Sequence, residues 1–331
     1  MKHAWTLCRA LVLLGCLAWF VPTVQAQAKD PQKYVTPDCN VYVHVNFNHL
    51  FKSDMLRKVL PVLADKYGEN LVKMVAQMNE QAAPLEAMWP ILQEALRDPE
   101  KVAEFLDNAS QGLTDLVVMV NTKSEKDVLI LIFSPAMNAG MLEMVSGMLE
   151  GQMPGMLEKE KEGGKTIFLF TPPDQGEINV ALTMLDDGIL GISLNKDRLK
   201  KAMKASSGKP SPELAAMLAK RQADHTVFIA AMPDEEDAPK QVSGFVRFDK
   251  DLTIEMKATY ADAEKAAEEA KEATEGMEGM AEMMKGLAGG NEEIGPLLEL
   301  LTGFKAKADG KVMTVSGKIE GDKVLKALKK K

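Results

Sequence analysis

The sequence predicts an α+β fold in two related halves, each an antiparallel sheet built from hairpins with helices packed on one face. Three observations predict it. Short apolar or alternating runs come in pairs across tight turns, helical stretches follow these pairs, and one turn–strand–helix segment occurs twice. Hairpins followed by helices, without a regular βαβ rhythm, argue for antiparallel pairing.

The first element is a strand. Val41, Val43, Val45 and Phe47 alternate with Tyr42, His44 and Asn46, and the polar set is expected to form the solvated face. Helical pieces are expected over 54–107, punctuated by Pro84 and Pro90. Asp98-Pro99-Glu100 supplies an N-cap, a first-turn proline and an acid suited to the helix dipole. The continuous apolar runs 116–120 and 128–133 predict a hairpin buried on both faces. A helix is expected over 138–150, a strand over 167–170, a hairpin over 179–194 about Asp187-Gly188, and a basic helix over 195–205.

The second half repeats this plan. A helix is expected over 212–221 and a strand over 226–232. Residues 242–248 and 252–260 form a hairpin with Val246, Phe248, Leu252, Ile254 and Met256 facing in and Arg247, Thr253, Glu255 and Lys257 facing out. Helices are expected over 262–287 and 293–301. A hairpin over 304–308 and 312–319 turns at Asp309-Gly310, which suits a type I′ turn, and a basic helix over 322–330 closes the chain.

Asp187-Gly188 leads through a strand ending near Ser193 to a lysine-rich helix starting near Asp197. Asp309-Gly310 leads through a strand carrying Ser316 to a lysine-rich helix starting at Asp322. Convergent hairpin and capping chemistry is the alternative to a true repeat. The expected division is an export signal over 1–26 and halves over 27–210 and 211–331. A leading strand followed by Asn48-His49-Leu50-Phe51-Lys52-Ser53 and a helix, then hairpin–helix units, resembles exported bacterial α+β proteins of unknown function. The resemblance implies no site residues.

The N-terminus reads as a cleaved export signal. Lys2 and Arg9 precede twelve apolar residues, 10–21, and Pro22 ends the run before the small-residue site at Ala26. Ala28 offers a second cleavage point, and Cys16 would carry the lipid in a lipoprotein reading. As a helix the run spans about 18 Å, short of a bilayer core of about 30 Å, so no transmembrane anchor is expected after cleavage. Removing 26 of the 331 residues leaves 305, and losing Lys2 and Arg9 takes the formal charge from −8 to −10. That acidity counts against nucleic acid as a partner. Cys39 becomes the sole thiol, which suits a bacterial envelope better than a disulfide-bonded secreted domain.

Candidate chemistry is sparse. Glu162-Gly163-Gly164-Lys165-Thr166 echoes a phosphate-binding loop, but Lys159 stands where the pattern needs glycine, and a strand follows where it needs a helix. A hairpin entry is expected instead. Gly191-Ile192-Ser193 lacks the second glycine of a nucleophile elbow, and the candidate bases are His44, His49 and His225. His44 and His49 could join Cys39 on zinc, but His44 lies on the polar face of the strand and His49 beyond its end.

Met141, Met144 and Met148 share a helix face, as do Met277, Met280 and Met284. Thioethers hold Cu(I), but the neighbouring Leu142, Val145 and Leu149 make packing the simpler role. A seam of Ala263, Ala266, Ala270, Ala273, Met277, Met280, Met284 and Leu287 is expected to pack the long helix on the second sheet. Asp234-Glu235-Glu236-Asp237 lacks the spaced ligands of a calcium loop and reads as a solvated loop.

No catalytic, cofactor-binding or metal-ligating residue is assigned. The expected function is that of an exported, non-enzymatic binding or interaction module of the cell envelope, its partner an envelope protein or a hydrophobic ligand. One alternative is a carrier of a lipid or lipidated peptide, held between sheet and Met-rich helices. The other is an enzyme without a local motif. An apolar cavity would favour the carrier, and a cleft in which His44 or His225 meets carboxylates would favour the enzyme.

Overall fold

The computed structural model describes residues 30–78, 89, 90, 93–124, 126–152, 155–171, 180–204, 209–288 and 303–329. The export segment with Ala26 and Cys16, Pro84 and the expected helix at 293–301 lie outside them. The elements in chain order are a 3-10 helix over Pro31–Tyr34, β1 (Val41–Asn46), α1 (Phe47–Lys52), α2 (Asp54–Met78), α3 (Pro99–Gly112), β2 (Asp115–Val120), β3 (Val128–Phe133), α4 (Ala139–Gln152), β4 (Leu157–Glu162), β5 (Lys165–Phe170), β6 (Val180–Asp186) and β7 (Ile189–Ser193). They continue with α5 (Lys196–Lys204), α6 (Pro212–Leu218), β8 (Val227–Ala231), β9 (Gln241–Phe248), β10 (Leu252–Thr259), α7 (Ala263–Ala288), β11 (Phe304–Asp309), β12 (Val312–Ile319) and α8 (Gly321–Lys329). The α+β class is as expected. Among the described residues no helix is long and apolar enough to cross a membrane.

Two compact units share this chain. The first comprises Met1–Asn48, Ala109–Ala223 and Val227–Ser243, and the second His49–Asn108, Asp224–Thr226 and Gly244–Lys331. Each unit is therefore assembled from separated stretches.

In the first unit the strands run in the order β8-β1-β2-β3-β7-β6-β5-β4, every neighbouring pair antiparallel. Side chains alternate between the two faces of a strand, so each face can be followed separately. Ile130, Ile132, Leu190, Ile192 and Phe168 form one core with Met137 and with Leu142 of α4. On the opposite face Tyr42, Val117, Met119, Leu129, Leu131 and Phe228 are also buried. There an added Cβ at Gly191 would lie 2.9 Å from the Leu199 side chain of α5. Helices thus cover both faces of this sheet, not one. The hairpin of β2 and β3, expected to be buried on both faces, lies mid-sheet and has the continuous apolar sequence such a position requires.

Two expectations fail here. Tyr42 and His44 are buried, so the polar residues of β1 are not its solvated face. The alternation is inverted, since Val41, Val43 and Val45 on the other face are only half-buried. The chain also turns into α1 at Phe47, which was expected to continue the strand. β4, a strand of Leu157 followed only by glutamates and lysines, is one that no apolar periodicity announces. It ends the strand order, where charged side chains suit an unpaired edge. Its Glu160 pairs with Lys196 of α5 at 2.9 Å. The turn to β5 uses Gly163 and Gly164 at φ 55° and 79°, so the phosphate-loop echo is a hairpin turn.

In the second unit β10 pairs with β12 and β12 with β11, all antiparallel, and residues 244–248 of β9 lie beside β10. The expected in–out alternation of β9 and β10 is blurred: Val246 and Arg247, or Ile254 and Glu255, are alike half-buried. Helix α7 packs on β11 and β12. Its buried residues are Ala266, Ala270 and Ala281, with Ala273 and Met277 half-buried, while Ala263 and Met280 of the expected seam are exposed. A straight helix turns every 3.6 residues and drifts about 20° per heptad from a strict seven-residue pattern, so the seam moves from Met280 to Ala281. Lys265 and Glu269 pair along the helix at 3.1 Å, an i,i+4 spacing.

Candidate functional site

A cleft of about 510 Å³ lies at one end of the strands of the first unit. His44 reaches it from β1 and Asp115 from the first position of β2. Register pairs His44 with Val117 and Asn46 with Asp115, so His44 and Asp115 are diagonal neighbours on one face. Arg221 arrives from the turn after α6. Ser211 caps that helix by accepting from the Leu214 amide at 3.2 Å, Pro212 takes its first turn, and the Arg221 amide closes onto the Leu218 carbonyl at 3.1 Å. The turn between β6 and β7 forms the opposite wall. Gly188 has φ 76° there, and its carbonyl accepts from the Ser134 amide at 2.9 Å.

His44 is 2% exposed and has a partner on each ring nitrogen. Its Nε2 lies 2.8 Å from Asp115 Oδ1, and its Nδ1 lies 3.0 Å from Arg221 Nη1. A guanidinium has no acceptor, so Arg221 donates, and Nδ1 must present its lone pair. The ring proton therefore sits on Nε2 and is donated to Asp115. A doubly protonated ring would have nothing to offer Arg221. Nor is a nitrogen left to take a proton from a substrate or from Ser134, a residue of the same cleft. A serine–histidine–aspartate relay needs one.

Arg221 stands apart from the other arginines. Arg57, Arg97, Arg198 and Arg247 each pair with a carboxylate. Among the described residues, the side chain of Arg221 bonds instead to a neutral ring, and its Nε, like Nε and Nη2 of Arg198, is buried without a hydrogen-bond partner. Tyr42 Oη and Ser134 Oγ are likewise buried without a partner. Each unsatisfied group costs about 1–3 kcal/mol. Burial raises the pKa of the Tyr42 phenol well above its ordinary value. Asp30, Asp115 and Asp187 add three carboxylates to the lining, with Pro31, Phe133, Pro135 and Ile189 as its apolar part.

The remaining candidates have other roles. His49 and His225 belong to the second unit. His49 Nδ1 meets Thr226 Oγ1 at 2.9 Å, and His225 stacks on Phe245 with ring centres 4.2 Å apart and planes 3° from parallel. Cys39 donates its thiol to the Val41 carbonyl at 3.3 Å, and burial pushes its pKa up to about 11, against the pull of nearby Arg198. Among the described residues no three His, Cys, Asp or Glu side chains are grouped so as to hold a metal ion.

Ser193 Oγ donates to the Val128 carbonyl at 2.6 Å and accepts from the Asn195 amide, a structural role. The loop 234–237 is exposed, as expected, and Asp234 accepts from Asn40 and Thr122, each at 2.9 Å. Met144 and Met148 are 53% and 57% exposed, so packing does not account for them, while Leu142 and Val145 beside them are buried. A second hollow of about 360 Å³, bordered by Lys165, Thr166, Asp186 and Glu143, is also polar-edged.

Sequence reasoning named His44 but missed Asp115 and Arg221. One signal was present: an aspartate opening an apolar strand, a position where a carboxylate is unusual unless something meets it. Compared with protein-family models, curated proteins and solved structures, the chain matches none.

Proposed function

We propose that the protein is an exported, extracytoplasmic binding module without catalytic activity, which holds a small polar ligand in the cleft at His44. His44 does meet a carboxylate in a cleft, the arrangement that would favour an enzyme, but one observation carries the binding reading. Both nitrogens of His44 are engaged, so the cleft presents fixed hydrogen-bonding groups in place of a general base. Buried, pre-oriented polar groups converging on a partly apolar cleft are what a small-molecule site requires. The export signal ending at Ala26 and the lone mature thiol support the extracytoplasmic address, and the acidity of the mature chain counts against a nucleic acid. Relatedness of the two halves is supported by segments 187–204 and 309–329, each of which folds as turn, strand and helix.

Native mass spectrometry of the protein purified without denaturation from its own envelope tests the reading. The expected spectrum contains one non-covalent small molecule per chain, lost in Arg221→Gln. Chains of bare mass would count against a resident ligand, and a retained lipid would favour the hydrophobic carrier instead.

A further inference from the structure

We infer that the cleft takes a free α-amino acid, its carboxylate on Arg221 and its ammonium on Asp115. This rests on the cleft being a binding site and adds the chemical class of what it binds.

The charge pattern narrows the ligand first. Arg221 is charged and, among the described residues, has no carboxylate partner, although an arginine is the side chain best shaped to grip one. An anionic group on the ligand supplies what the guanidinium lacks. Yet Asp30 and Asp115 line the same cleft, so with His44 neutral carboxylates outnumber the one guanidinium. A phosphate or a dicarboxylate entering there would meet net repulsion. A simple cation would leave Arg221 unanswered and be repelled by it. A ligand carrying one charge of each sign meets both demands.

Spacing narrows it further. Arg221 and Asp115 are held on opposite sides of one imidazole by bonds of 3.0 and 2.8 Å. The two charged groups are thus separated by one small ring and two hydrogen bonds. An α-amino acid bears its carboxylate and ammonium on a single carbon, and with its own two hydrogen bonds it spans a gap of that kind. The termini of a peptide lie further apart and fit it less well. Pro135, half-buried, and Phe133 furnish apolar surface for a side chain.

Titration calorimetry on the full mature chain tests this with L-phenylalanine as the probe, beside N-acetyl-L-phenylalanine and L-phenylalaninamide, followed by the remaining common amino acids. The expected result is saturable binding of one free amino acid per chain, weakened at least tenfold when either charge is blocked. Arg221→Gln and Asp115→Asn each abolish it while the folded circular-dichroism spectrum is retained. Should either variant fail to fold, the blocked analogues on the native chain still decide the matter. Equal affinity for blocked and free forms, or no binding of any amino acid, overturns the inference. If native mass spectrometry nevertheless finds another small molecule lost in Arg221→Gln, the binding-module reading survives without it. If it finds none, both fall.

Discussion

Arg221 donates to Nδ1 of His44 across 3.0 Å, joining the loop after α6 to the middle of β1. The bond fixes the imidazole tautomer, and through it the direction of the proton offered to Asp115. Removing the ring strands both partners, a guanidinium and a carboxylate. His44→Ala is expected to cost about 3 kcal/mol of unfolding free energy, from a buried cavity plus orphaned groups. Combined with Arg221→Gln in a double-mutant cycle by urea denaturation, the pair should couple by about 1 kcal/mol or more. Strict additivity would show that the bond is not formed in solution.

Arg198 of α5 presents a buried guanidinium, 1% exposed, with Asp38 and Asp127 each 3.3 Å away and a further bond to Thr36. Truncating it leaves the buried Asp127 carboxylate unanswered, while Asp38 is open to water. Arg198→Ala is expected to destabilise by about 3–5 kcal/mol, whereas the exposed pair Lys271–Glu275 should contribute less than about 1 kcal/mol when cut. Chemical denaturation of the two variants checks the contrast.

The two matching turns differ in what surrounds their glycines. Gly310 has φ 54° and open space around it, so Gly310→Ala carries only the left-handed backbone cost of about 1 kcal/mol. Gly188 has φ 76°, and its added Cβ would stand 3.1 Å from the Ser134 carbonyl oxygen. Gly188→Ala should therefore lower the melting temperature more than Gly310→Ala does, and it should also disturb the cleft wall.

Alkali should loosen the fold through Cys39. Burial raises the thiol from an ordinary value of 9.0 to about 11, so the native state keeps its proton over a range in which the unfolded chain has lost it. The unfolded state then binds fewer protons, and stability falls as pH rises through that window, while below pH 9 the contribution is constant. Urea midpoints measured from pH 8 upward should decline less steeply in Cys39→Ser. Tyr34, pushed up to about 12 chiefly by burial, continues the loss at higher pH in both proteins. Identical slopes would remove Cys39 from the account.

Much of the fold was legible because it rests on local chemistry. Asp98 accepts from the Glu100 amide at 2.9 Å, as its place before Pro99 implies, and Asp187-Gly188 and Asp309-Gly310 turn where their sequence says. What was hidden depends on neighbours distant in sequence. β4 carries no apolar alternation because its partners are the lysines of α5. The polar face of β1 is buried because Arg221, 177 positions away, and Asp115, 71 positions away, complete its hydrogen bonds. No periodicity within β1 encodes those partners. The candidate site is therefore the least legible part of the chain, its three polar residues drawn from three separate stretches.

His44 is held as a fixed bridge rather than a base. Its tautomer is directly measurable by ¹⁵N NMR of histidine-labelled protein, which reports which ring nitrogen carries the proton. The expected spectrum shows a protonated Nε2 and an unprotonated Nδ1 for His44, unchanged when the ligand site is filled. A proton on Nδ1, or rapid exchange between the two nitrogens, would contradict the account and reopen the cleft as a catalytic site.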